Sequence, residues 1–239
     1  MACEQCEGIE LQFGRSAARK KLRQFRRRGP DKTTRLLVNA LRAALDGTDT
    51  RGVVLLDIGA GVGAIHHELL DGHVERAIHV DGSTAHLAAA RDEAERRGHG
   101  SRVEFVHGDF VDLAGAIPGA DVVTLDRVIC CYHDMERLVG LSARKARRLY
   151  GAVYPRDVRW MHIAIRAINL LQRFKRSGFR VFLHSPAAID GVLRIAGLER
   201  RANWRTLGWE VVIYERRTEP SAITPEVPAS EGPGRVPRS

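Results

Sequence analysis

The segment Asp57-Ile58-Gly59-Ala60-Gly61-Val62-Gly63 limits the fold more than any other stretch of the chain. It follows an unbroken apolar run, residues 53–59, and precedes a helical pattern at residues 64–70. Three glycines therefore stand where a strand turns into a helix, a place that needs tight turning and close backbone approach. The same rhythm repeats downstream. Strands are expected at 76–81, 103–109, 121–128 and 148–155, with helices at 84–97 and 135–147 and a helical turn reaching Ile117. Strands apolar at nearly every position are covered on both faces, and strands alternating with helices build a parallel sheet. After Pro155 the pattern changes: a long helix at 159–176, a helix from Pro186 to near Gly197, and two strands near 199–206 and 209–216 joined at Leu207-Gly208.

The loop spacing argues about its ligand. A dinucleotide loop reads G-x-G-x-x-G and seats a pyrophosphate on the helix N-terminus. This loop reads D-x-G-x-G-x-G, and the carboxylate of Asp57 disfavours a pyrophosphate and favours an ammonium or sulfonium. Asp81 ends the next strand, 24 residues after Asp57, where an acid accepts ribose hydroxyls. Asp109, followed by Phe110, ends the third and suits an adenine amine with an aromatic beside the ring. Three acids at three successive strand ends converge on one crevice.

The strings LLDIGAGVG, HVDGS, VHGDF and DVVTLDRVI resemble the successive motifs of class I S-adenosylmethionine-dependent methyltransferases over roughly residues 52–155. The resemblance implies an α/β, Rossmann-like seven-stranded sheet in the order 3-2-1-4-5-7-6, with only strand 7 antiparallel. It implies S-adenosyl-L-methionine as cofactor, with Gly59, Ala60, Gly61 and Gly63 along the methionine moiety and Asp57 beside them. Asp81 would take the ribose and Asp109 the adenine, and Gly82, Ser83, Phe110, Asp126 and Arg127 would complete the cofactor-binding set.

A narrower similarity, carried by LDRVICCYHDMERLVGLSA, FLHSPAAIDGVLRIAGL and QFG…FRRRG, is to the magnesium-protoporphyrin O-methyltransferases, which esterify a propionate beneath a helical lid. Two departures stand out: Cys131-Tyr132 where that family has His-Tyr, and Gln12-Phe13 where it has Tyr-Phe. Methyl transfer is an in-line displacement in which positioning does much of the work. A carboxylate acceptor is a nucleophile without a base but wants cationic anchors, for which Arg15, Arg19, Lys20 and Arg127 are candidates. A phenol wants a base, for which Tyr132 and His133 are candidates. Phe13, Arg15, Arg19, Cys131 and Tyr132 are the expected substrate contacts. The expected reaction is O-methylation of a carboxylate or hydroxyl of a small molecule, possibilities for which a carboxylic acid is the leading class.

Three units are expected: a helical arm or lid over 1–50, the methyltransferase domain over 51–217, and a disordered Pro/Ser/Glu-rich tail over 218–239. The chain carries 38 Lys+Arg against 29 Asp+Glu, and residues 15–28 hold eight basic side chains and no acid. That run supports a competing class, a tRNA or rRNA methyltransferase gripping phosphates. A third class is a protein that binds the cofactor without turnover. Cys3-x-x-Cys6 is half a zinc site, and adjacency predicts that Cys130 and Cys131 face opposite ways, so no metal is expected. Adjacent His66 and His67 point about 100° apart on a helix and make no ligand pair. The amphipathic helix at 159–176 suits core or lid packing, with peripheral membrane contact as the alternative. No stretch is long and apolar enough to span a bilayer, and a cytoplasmic location is the expectation.

Overall fold

The computed structural model describes residues 14–47, 49–174 and 178–217. Helix α1 spans Arg15–Arg28 and α2 spans Lys32–Leu45. There follow β1 (Val54–Ile58), α3 (Ala64–Leu70), β2 (Arg76–Asp81), α4 (Thr84–Arg97), β3 (Val103–His107), α5 (Phe110–Leu113) and β4 (Ala120–Asp126). The chain continues through α6 (Met135–Lys145), β5 (Ala146–Pro155), α7 (Arg159–Phe174), α8 (Pro186–Ile195), β6 (Leu198–Arg205) and β7 (Trp209–Arg216). The seven strands form one sheet in the order β3-β2-β1-β4-β5-β7-β6, and β7 runs antiparallel to both its neighbours. The expected fold class and strand order are those observed.

Both faces of the sheet are apolar because successive side chains point to opposite sides. In β1, Leu55 packs with Leu37, Leu41, Ile65 and Leu69 of α2 and α3, whereas Leu56 and Ile58 pack with Val139, Tyr150 and Leu193 on the other face. Asp57 is two residues from Leu55 and so shares its face, buried beneath α3.

Two expectations change. The division at residue 50 groups α2 with a lid, but Leu37, Val38, Leu41 and Leu45 are buried against β5 and β7, so α2 covers the sheet. Its start is fixed by Asp31, whose side chain accepts from the Thr34 amide at 3.2 Å. Only α1 lies outboard. The helix stops at Lys145, two residues before the expected end at Arg147, because β5 pairing begins at Ala146 opposite Ala120. The basic run there favours helix by propensity, and the ladder overrides it. The tail at 218–239, with Phe13, Gln12, Cys3 and Cys6, lies outside the described residues.

Candidate functional site

The strand order reverses between β1 and β4, and doubly wound sheets bind ligands in the crevice this opens at the strands' C-terminal ends. A cavity of about 640 Å³ occupies it. It is lined by Asp57, the loop 59–62, Asp81, Gly82, His86, Asp109 and Phe110, and also by Val128, which abuts Gly59, by Cys131, by Tyr132, which bonds Asp109, and by Met161, Ile165, Ile168 and Trp209. Helix α1 contributes Ala17, Lys21, Gln24 and Phe25.

The loop's glycines serve different ends. Gly59, Gly61 and Gly63 have φ of 62°, 58° and 81°, a region L side chains rarely adopt. A Cβ on Gly59 would lie 2.4 Å from Val128 Cγ2, and one on Gly63 would lie 2.3 Å from His66 Cε1, so both are forced by packing. A Cβ on Gly61 would meet nothing within 4 Å. Gly61 leaves open space on the cavity wall. Its amide donates to Asp81 Oδ2 at 2.8 Å, and the Ser83 amide donates to Oδ1 at 2.8 Å. Two backbone donors thus fix the Asp81 carboxylate at the cavity rim. Each oxygen keeps a lone pair for hydroxyl donors.

Asp57 is 1% exposed and accepts from Thr124 Oγ1 at 2.7 Å, with His66 Nδ1 at 3.3 Å. Burial pushes its carboxyl up to about 7, against the opposing hydrogen bond from Thr124. A cation in the cavity would pull the charge back onto it. Asp109 caps α5 through the Val111 amide at 2.8 Å and accepts from Tyr132 Oη at 2.9 Å. Phe110 lines the cavity from the buried core cluster.

The other predicted residues separate. Arg127 sits at φ 62°, the one non-glycine with positive φ among the described residues. Its guanidinium bonds Asp31 at 2.7 Å and Asp126 at 3.0 Å, and donates to Thr34 Oγ1 at 3.0 Å. Thr34 in turn donates to Asp126 at 2.5 Å. Arg127 therefore spends its charge on two carboxylates and ties α2 to the end of β4. Burial raises the Asp126 carboxyl despite Arg127, while Asp31 is held well below the usual range by Arg127 and Lys21 against its own burial. Arg15, Arg19 and Lys20 are exposed and outside the cavity lining; Lys21 and Gln24 occupy that face instead. Helical spacing carried this signal: Ala17, Lys21 and Gln24 stand at i, i+4 and i+7.

Tyr132 lines the cavity, and burial together with Asp109 raises its phenol further above its ordinary value, so it keeps its proton and donates a hydrogen bond to Asp109. His133 is exposed, stacks on Tyr132 at 5.3 Å, and does not line the cavity. The vicinal thiols do not face opposite ways. A 3₁₀ turn over Ile129–Cys131 brings their Sγ atoms to 3.9 Å, and each thiol donates to the Arg127 carbonyl. Among the described residues no group of three or more His, Cys, Asp or Glu is arranged to hold a metal ion. His66 and His67 are both fully buried, between His79, His99 and Phe25.

Residues 56–148 match the family model described as a methyltransferase domain. The matched segment is 93 residues long, under half of the chain. It runs from within β1 to the start of β5 and holds the glycine loop and all four cavity acids of the strand ends. A curated relative, 3-amino-4-hydroxybenzoate 4-O-methyltransferase of Streptomyces cremeus, is 35% identical over 82 residues, 34% of this chain. The match spans only 22% of that relative's length. Among solved structures, magnesium protoporphyrin IX methyltransferase from Synechocystis with bound S-adenosylhomocysteine superposes with a TM-score of 0.65 at 19% identity, covering 87% of this chain and 98% of that one. A [4+2]-cyclase superposes with a TM-score of 0.58 at 17% identity, covering 78% of this chain and 81% of that one. Neighbours this distant share the fold, and a fold alone does not choose a reaction.

Proposed function

We propose that the chain is an S-adenosylmethionine-dependent methyltransferase that methylates an oxygen of a small, largely apolar molecule. One observation carries the reading: a single cavity is lined both by the glycine loop with its strand-end acids and by apolar side chains of α7 and β7. The residues fit the cofactor. The open space at Gly61 admits a ligand against the backbone, the fixed Asp81 carboxylate offers acceptors to ribose hydroxyls, and buried Asp57 favours a cation nearby. The Synechocystis structures carrying S-adenosylmethionine or S-adenosylhomocysteine support the same assignment. When bound, the cofactor supplies a methyl group activated on a sulfonium.

The protein's own part is positional. Gly59, Ala60 and Gly61 shape the wall, Asp81 and Asp109 orient, and α1 and α7 exclude water, which makes alignment count for more. Neither catalytic candidate from the sequence acts as a base: Tyr132 is a donor to Asp109, and His133 lies outside the cavity. An acceptor that is already anionic, a carboxylate or an acidic hydroxyl, needs no base; of the cations it could use as an anchor, Lys21 lines the cavity, where it also pairs with Asp31 at 3.0 Å. Arg127 does not anchor it, since Asp31 and Asp126 already hold that guanidinium.

The test is calorimetric titration with S-adenosylhomocysteine beside Asp81→Ala, then radiolabelled methyl transfer to a panel of aromatic acids, phenols and propionate-bearing tetrapyrroles. Micromolar binding lost in the variant, with label entering an oxygen acceptor, supports the reading. Absence of binding to the intact protein refutes it. The second reading, an RNA methyltransferase, rests on the exposed Arg15, Arg19, Lys20 and Arg23 of α1. It predicts label in bulk RNA and retention on heparin that collapses with salt.

A further inference from the structure

Helix α7 has two apolar sides and a use for only one of them. Met161, Ile165 and Ile168 look into the cavity. Trp160, Ile163, Leu170, Leu171 and Phe174 fall within an arc of about 100° when placed at 100° per residue. They face solvent, Ile163 at 69% and Phe174 at 78% exposure. The patch continues beyond the helix. A Cβ on Gly208 would sit 3.2 Å from Trp160 Cη2, so the turn between β6 and β7 abuts Trp160, and its Leu207 is 80% exposed. Soluble surfaces rarely present so many large apolar side chains side by side unless something covers them.

The charges beside the patch identify the cover. α7 contains no acidic residue, and its three arginines, Arg159, Arg166 and Arg173, are spaced by seven and so run along one edge. None of the three has an ion-pair partner among the described residues. An apolar face rimmed by arginine, on a chain of net charge +9, is complementary to a bilayer bearing anionic headgroups. We propose that α7 docks this protein on anionic lipid bilayers, the apolar arc sinking among the acyl chains and the arginine row lying at the phosphates. Because the inner side of the same helix lines the cavity, docking places that side of the cavity at the membrane surface, where an apolar acceptor dissolved in lipid reaches it. That last step rests on the proposed function; the docking itself does not.

The test is co-sedimentation of the full chain with phosphatidylcholine vesicles, with and without admixed phosphatidylglycerol. The expected result is binding to the anionic vesicles that weakens with salt. Arg159→Gln, Arg166→Gln and Arg173→Gln combined should lower the partition about a hundredfold, at about one kcal/mol per arginine. Ile163→Glu with Phe174→Glu should abolish it. Titration with S-adenosylhomocysteine separates the two readings: unchanged affinity in these variants shows an intact fold, and vesicle binding without cofactor binding would sink the proposed function alone. Docking is overturned if the intact chain stays in solution with anionic vesicles, or if neither variant changes binding. It is equally overturned if sedimentation velocity shows a dimer that Ile163→Glu and Phe174→Glu dissociate, or if only a chain lacking residues 1–13 binds.

Discussion

Gly59→Ala and Gly61→Ala make a matched pair, because the two positions share a backbone region and differ in surroundings. Each glycine has φ near 60°. An alanine there costs about 1–2 kcal/mol from the left-handed conformation alone. At Gly61 nothing adds to that, since the new Cβ meets no atom within 4 Å. At Gly59 the Cβ lands 2.4 Å from Val128 Cγ2, and Val128 packs against the buried core cluster. Overpacking of that kind adds about 1–3 kcal/mol. The expected losses are therefore about 1–2 kcal/mol for Gly61→Ala and about 2–5 kcal/mol for Gly59→Ala. At about 2–4 °C per kcal/mol for a domain of this size, the melting temperature should fall by about 2–8 °C and about 4–20 °C respectively. Ligand binding should reverse the ranking relative to stability. The Gly61 Cβ enters space on the cavity wall, so the folded Gly61→Ala protein should lose at least about tenfold in affinity for S-adenosylhomocysteine, or about 1.4 kcal/mol. Urea unfolding gives the first quantity and calorimetric titration the second. Full affinity in Gly61→Ala would refute the loop as a ligand wall. A Gly59→Ala protein no less stable than Gly61→Ala would refute the packing argument.

Three further outcomes follow from the site's electrostatics. Asp57 has a folded-state value of about 7, above its ordinary value of 3.8, so its contribution to stability is present below the unfolded value and is lost as pH rises through 7. His66 and His67, lowered by burial, act oppositely, losing stability as pH falls from their ordinary 6.5. Comparing urea midpoints of the wild type and Asp57→Asn from pH 5 to pH 8 isolates the carboxyl: the variant should lack a decline of about 3 kcal/mol at most between pH 5 and 7, and parallel profiles would contradict the assignment. Glu93 is fully buried and holds Arg26 of α1 as well as Arg96 and Arg97. Glu93→Gln should cost about 3 kcal/mol and speed tryptic cleavage within the arginine-rich α1, read by mass spectrometry. Tyr132→Phe and His133→Ala should both keep turnover with an unshifted pH profile, once an acceptor is known; loss of a basic limb in either would restore that residue as the base.

What the sequence made legible and what it hid divide along a physical line. The strands of the sheet were readable because burial on both faces leaves runs such as residues 53–59 without polar interruption. The glycine loop and the acids at the strand ends were readable because their meaning depends on position along one chain direction. The Arg127 cluster was not. Its partners Asp31 and Thr34 lie more than ninety residues earlier, and nothing near Arg127 shows that α2 returns to the end of β4. A sequence reading therefore treats an arginine at the mouth of a crevice as a free charge awaiting an anion. The fold instead makes it the clasp between α2 and the sheet. The vicinal thiols err in the opposite direction: alternation of side chains holds for strands, and Cys130 and Cys131 lie in a 3₁₀ turn, where the rule fails and both thiols reach one carbonyl. Both errors concern the part of the cavity that β4's exit, α1 and α7 assemble from segments far apart in sequence. The glycine loop and the strand-end acids are written in consecutive β-α units. That asymmetry is why the cofactor is named by the sequence more readily than the acceptor, and why α7's outer face, invisible to a motif search, bears on where the acceptor comes from.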